Sequence, residues 1–184
     1  MSNILDYLDW RGDLKIDRRA PFCEVDNLIL TQLSFVDLVG IADGDHLRHS
    51  VTLREAAARY LANPAAHADR LGVLIPNEVS TLLKKAAASV RFGNMHLLRF
   101  ENTIDETLQT QFAALCIVVG DGSFYVSFRG TDDTIVGWKE DFNMAFTPEI
   151  PAQKYAAEYL RQVSAALPFR PLLVGGHSKG GNLA

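Results

Sequence analysis

A chain of 184 residues, 48% hydrophobic and 22% charged, can bury an apolar core without a disulfide or metal and is not composed like a disordered segment. Its net charge of −4 supplies no basic face for DNA or RNA, and the short clusters Arg18-Arg19 and Lys84-Lys85 read as solvated surface. No apolar run approaches the ~20 residues of a membrane span. The start, Met1 to Trp10, lacks a positive segment and is interrupted by Asp6 and Asp9, unlike a signal peptide. Cys23 and Cys116 match no ligand or redox spacing, so the expected setting is cytoplasmic, with no cofactor and no metal.

Residues 1–92 read as mainly helical. Asp26 is placed to cap a helix carrying Ile29, Leu33 and Val36 on one face, with Gly40 as its stop. Thr52-Leu53-Arg54-Glu55 matches a capping box, and that helix should end before Asn63-Pro64. A further helix is expected from Pro76 to about Val90, with Val79, Leu82, Leu83, Ala86 and Val90 on one face. Strand-forming residues then dominate: 95–101, 112–119 and 123–128 read as strands, the last two joined by a hairpin at Gly120-Asp121-Gly122. Pro151 to Leu167 reads as a helix with Ala156, Tyr159, Leu160, Val163 and Leu167 inward and Pro168 as its stop. Pro171 to Gly175 is a short buried strand running directly into Gly176.

Gly176-His177-Ser178-Lys179-Gly180 then has the form G-x-S-x-G, the nucleophile elbow of a serine hydrolase. A nucleophilic serine must project its oxygen beyond the backbone, which demands a sharp turn between a strand and a helix. Small residues two before and two after the serine let strand and helix approach, and Gly176 and Gly180 occupy those positions; Gly181 adds further room. Two rivals fail on spacing. A P-loop would need lysine where Gly181 stands, and G-x-G-x-x-G does not fit these glycines.

Upstream, Phe128-Arg129-Gly130-Thr131 ends a strand and is followed by Asp132, Asp133 and the W-x-x-D segment Trp138 to Asp141. With the Gly176–Gly181 elbow in the same order, residues 95–184 resemble the lipase class 3 (fungal-lipase-like) α/β-hydrolases. Asn3 to Tyr7 and Val25 to Leu30 extend the likeness to a bacterial branch of lipase-like hydrolases without an assigned substrate. The resemblance implies that Ser178 is the nucleophile and that the Thr131 amide, with its hydroxyl as a further candidate, faces the developing oxyanion. It implies that the Lys179 amide is the second oxyanion donor and that Asp141 steadies Thr131.

In such hydrolases the acid and then the histidine follow the serine in the chain. Both are therefore expected beyond Ala184, in a C-terminal part of the fold that these residues do not contain. Alone, the chain should be inactive. His46, His49, His67 and His96 are weak substitutes, and His177 should point away from the serine oxygen. Lys179 stands where lipases commonly carry leucine. It reads either as a solvated lysine paired with Asp132 or Asp133, or as a charge that favours anionic acyl substrates. No clear interfacial lid is visible.

The expected architecture is a single α/β-hydrolase-like domain over 1–184, helical to about residue 92 and then a mixed sheet with flanking helices. Its expected activity is esterase- or lipase-like cleavage of a small acyl ester or lipid-like substrate. A non-catalytic binding module and an acyltransferase using the same site remain alternatives, and the oligomeric state is open.

Overall fold

The computed structural model describes residues 3–63, 78–132 and 134–184. The predicted features at Pro64, His67, Pro76 and Asp133 lie outside them. Helix α1 (Ile4–Arg11) opens the chain, with Asn3 and Asp6 as a reciprocal capping box. Helix α2 (Glu24–Leu33) begins at Cys23, so Asp26 is not its cap. Asp26 instead occupies the third helical position, where its carboxylate accepts the Cys23 amide at 2.9 Å. The helix also stops at Leu33, short of Gly40. Thr31 and Ser34 turn their hydroxyls onto Leu28 O and Thr31 O, and such local bonds compete with helix continuation.

A 3₁₀ turn (Leu47–His49) and strand β1 (Val51–Thr52) lead into α3 (Leu53–Ala62), capped by the predicted Thr52–Glu55 box. Helix α4 (Glu78–Ala88) buries Val79, Leu82, Leu83 and Ala86 as expected. Val90 does not join that face. It lies beyond the helix, exposed, with its amide bonded to Gly12 O.

Strands β2 (His96–Asp105), β3 (Thr110–Val118), β4 (Phe124–Phe128) and β5 (Leu172–Gly176) complete a five-stranded sheet of order β1-β2-β3-β4-β5. All neighbours are antiparallel except β4 and β5, which are parallel and joined through α5 (Ile135–Met144) and α6 (Pro151–Ala166). Helix α7 (Lys179–Leu183) follows β5. β2 and β3 extend into a hairpin beyond the predicted strand limits. Asn102 to Asp105 lack apolar periodicity, and the Asp105 carboxylate closes the turn onto the Thr107 and Leu108 amides.

Alternation along β3 divides the core between the two faces of the sheet. Leu115 and Ile117 face α1–α4, packing with Leu30, Leu83 and Leu97. Phe112, Ala114 and Cys116 face α6, packing with Phe128, Tyr159 and Val163. The result is a mixed α/β arrangement with helices on both faces of an open sheet.

Burial pushes the Cys116 thiol from its ordinary 9.0 up to about 12, because the thiolate is poorly solvated in this core. Below pH 9 folded and unfolded chains are both protonated and the thiol costs nothing. Above it the unfolded chain ionises first, so stability falls as pH rises toward the folded value. Urea titrations between pH 8 and pH 10.5 should therefore fall more steeply for the wild type than for Cys116→Ala, by at most about 1.4 kcal/mol per pH unit. Parallel curves would contradict this.

Candidate functional site

β5 delivers Gly176 to a turn whose apex is Ser178, and α7 begins at Lys179. Ser178 holds φ 56° and ψ −122°, a conformation costly for any residue with a Cβ. Its side chain is exposed. The turn is over-determined by its neighbours. A Cβ on Gly176 would lie 2.0 Å from Gly180 O, and one on Gly180 would lie 2.1 Å from Phe128 O. Gly181 differs: an added Cβ meets nothing nearer than 3.4 Å, so the expectation that its smallness makes room is not met. The His177 ring packs edge-on against Phe35 at 5.7 Å. The Lys179 amide, at the first helical position, has no acceptor within its own helix.

The end of β4 abuts this turn. A Cβ on Gly130 would fall 2.5 Å from His177 O and 3.3 Å from Ser178 Cβ, so the two backbones meet where Gly130 has no side chain. Next in the chain, Thr131 donates its hydroxyl to Asp141 Oδ2 at 2.5 Å. The hydroxyl is thereby occupied and is corrected as a free donor; the amide is what Thr131 has left to offer. Asp141 Oδ1 is buried without a hydrogen-bond partner among the described residues. Arg129 is buried beside them, donating to Asn102 Oδ1 at 2.7 Å, with Asp132 3.5 Å away. Burial lowers its pKa, and the charges of Asp132 and Asp37 oppose that shift.

Lys179 overturns both readings of its charge. The residue is 3% exposed, and its ammonium points into the protein rather than to solvent or substrate. Nζ donates to Glu140 Oε2 at 2.7 Å, Gln111 O at 2.6 Å and Gln111 Oε1 at 2.8 Å. Asp132 is engaged by Arg129 and by Thr134, the cap of α5. The four-carbon stem of Lys179 carries its charge from the turn to Gln111 on β3 and Glu140 on α5. A preference for anionic substrates through Lys179 is therefore withdrawn.

A family model described as Mbeg1-like matches residues 86–184, more than half of the chain. The chain belongs to the Mbeg1-like family. No curated protein and no solved structure was found to match it.

The Mbeg1-like match spans every predicted site residue: Thr131, Asp141, Gly176, Ser178, Lys179 and Gly180. The fold of this Mbeg1-like chain brings the Gly130-Thr131 strand end against the Ser178 turn and joins Thr131 to Asp141. Among the described residues it brings no histidine into a hydrogen bond with the serine. Among the described residues no side chain hydrogen-bonds Ser178 Oγ; His46 and His49 lie beside Asp45, and His96 bonds Ser50 at 2.9 Å.

Sequence reasoning missed Glu140 and Gln111. Trp138 to Asp141 holds two adjacent acids, and only packing reveals that Glu140 turns inward to Lys179 while Asp141 turns to Thr131. It also missed an apolar surface. Helix α5 exposes Ile135 (74%), Trp138 (56%) and Phe142 (68%), which line an open groove of about 480 Å³ with Gln109, Lys139 and Asn143. Their i, i+3, i+7 spacing puts them on one helix face.

Proposed function

We propose that this protein is a serine hydrolase of the lipase class 3-like α/β-hydrolase type, cleaving acyl esters with Ser178 as nucleophile. The observation that carries the reading is the backbone of Ser178: a positive φ on a non-glycine residue at an exposed turn between a parallel strand and a helix. Strain of this kind is held at functional sites because it aims a side chain. Glycines at 176 and 180, each unable to accept a methyl group, support the same reading.

In the proposed reaction Ser178 Oγ attacks the acyl carbonyl, and the Thr131 and Lys179 amides receive the negative charge developing on the carbonyl oxygen. Asp141 acts on Thr131 by holding its hydroxyl. A histidine must take the serine proton and pass it to the leaving alcohol. No described histidine is assigned that role. The exposed apolar face of α5, on the helix that carries Asp141, suits an ester with an apolar acyl chain. Among the described residues no helix is long and apolar enough to cross a membrane; a cytoplasmic setting is part of the proposal.

A fluorophosphonate probe tests the reading directly. The full-length protein should be labelled and its Ser178→Ala variant should not. Absence of labelling in the folded full-length protein would favour the second reading, a binding module that keeps the hydrolase-like turn without its chemistry.

A further inference from the structure

Behind the Ser178 turn lies an ion pair whose every hydrogen-bonding position is filled. The three ammonium donors of Lys179 are all used, by Glu140 Oε2, Gln111 O and Gln111 Oε1. Glu140 accepts four bonds: from Lys179, from the Gln111 amide at 3.0 Å, from the Ala152 amide at 3.2 Å and from the Thr110 hydroxyl. Both side chains are sealed from solvent, at 1% and 0% exposure. Burying two charges is expensive, and a well-packed apolar pair of the same volume is often as stable. The location of the pair therefore calls for an account other than stability.

We propose that the Lys179–Glu140 pair positions the oxyanion hole by fixing α7 against α5. The proposal rests on the reading of Ser178 as nucleophile. Lys179 contributes one oxyanion donor through its own amide and the ion pair through its side chain. Glu140 immediately precedes Asp141, which holds Thr131, source of the other donor. One bond thus ties together the two backbone segments whose amides must converge on a single oxygen. Gln111 and Ala152 anchor the pair to the start of β3 and the first turn of α6, so the sheet serves as its frame. Without the pair, α5 and α7 lose the bond that fixes the spacing between donors. An error of about 1 Å in such a constellation can cost on the order of 10²-fold in rate. Ground-state binding along the apolar face of α5 does not depend on that spacing. Both residues are positioning residues: neither charge reaches the solvent-exposed turn.

The test uses the full-length protein, a p-nitrophenyl acyl ester and a fluorophosphonate probe. The variant Lys179→Met/Glu140→Gln removes both charges but leaves an amide oxygen in the place of Oε1 to accept from Thr110 and Ala152, while the Gln111 amide loses its acceptor. Its kcat and its rate of phosphonylation should both fall by about 10- to 100-fold, with KM within about threefold of the wild type and the melting transition retained. A folded double variant that keeps kcat within threefold, or that loses only KM, overturns the positioning role while leaving Ser178 as nucleophile. A wild type that neither reacts with the probe nor hydrolyses the ester overturns the nucleophile reading and the pair's role with it. Should the double variant not fold, Glu140→Asp decides. It keeps the charge but draws the carboxylate back by one methylene, and an unchanged kcat there also overturns the proposal.

Discussion

Replacing Asp26 with alanine should destabilise the fold by about 3–5 kcal/mol, the range found when one partner of a buried ion pair is removed. Asp26 and Arg91 are both completely enclosed. Arg91 Nε and Nη2 grip the two carboxylate oxygens at 2.6 Å and 2.5 Å, a bidentate geometry. The remaining guanidinium donors reach Leu14 O, Ala20 O and Pro21 O at 3.0–3.2 Å, so Arg91 clamps the 14–21 loop and α2 together. Asp26 also accepts the Tyr7 hydroxyl at 3.0 Å and the Cys23 amide at 2.9 Å. Alanine would leave a buried guanidinium without its counter-charge and free the amide at the start of α2. For a chain of this length the melting temperature should drop by roughly 6–20 °C. Asp26→Asn, which keeps the shape and part of the hydrogen bonding, should lose less. A loss below about 1 kcal/mol for alanine in urea unfolding would rule out the clamp as a determinant of stability.

Single methyl groups at the Ser178 turn should have opposite outcomes five residues apart. At Gly176 and Gly180 the added Cβ would lie 2.0 Å and 2.1 Å from carbonyl oxygens of the backbone. Backbone atoms cannot rotate away as a flexible side chain can. Either β5 separates from α7, or α7 separates from the end of β4, and each route displaces Ser178. Gly176→Ala and Gly180→Ala should each cost about 1–3 kcal/mol, typical of overpacking, and should abolish fluorophosphonate labelling. Gly181→Ala is the control. Its Cβ would sit in ordinary van der Waals contact, 3.4 Å from Gly176 O, and alanine is a better helix residue than glycine, so stability should change by no more than about 1 kcal/mol and labelling should persist. Equal losses at all three positions would show that the clash does not govern the turn.

Local patterns made much of the architecture legible. The Thr52–Glu55 capping box, the Gly120–Gly122 hairpin and the apolar faces of α4 and α6 are all decided by residues within a few positions of one another. Such signals fail where a side chain's partner is remote. Asp26 resembles a helix cap because caps are its commonest use, yet its carboxylate is held by Arg91, 65 residues away. The helical period continues through Val36, but the hydroxyls of Thr31 and Ser34 end α2 before it.

The sequence by itself determined the feature on which the functional reading turns: a serine between glycines, after an apolar strand and before a helix, with a Phe-Arg-Gly-Thr strand end upstream. Spacing suffices there, because the sharp turn is built from contiguous residues. Only the tertiary structure decided where the charges go. Lys179 and Glu140 lie 39 residues apart and pair in the interior, while Asp141, next to Glu140, turns to Thr131. Neighbours in sequence carry no information about which of two adjacent carboxylates faces the core. That choice is made by the packing of α5 against β3 and by the Lys179 ammonium, where a buried charge is tolerated only if every one of its bonds is met.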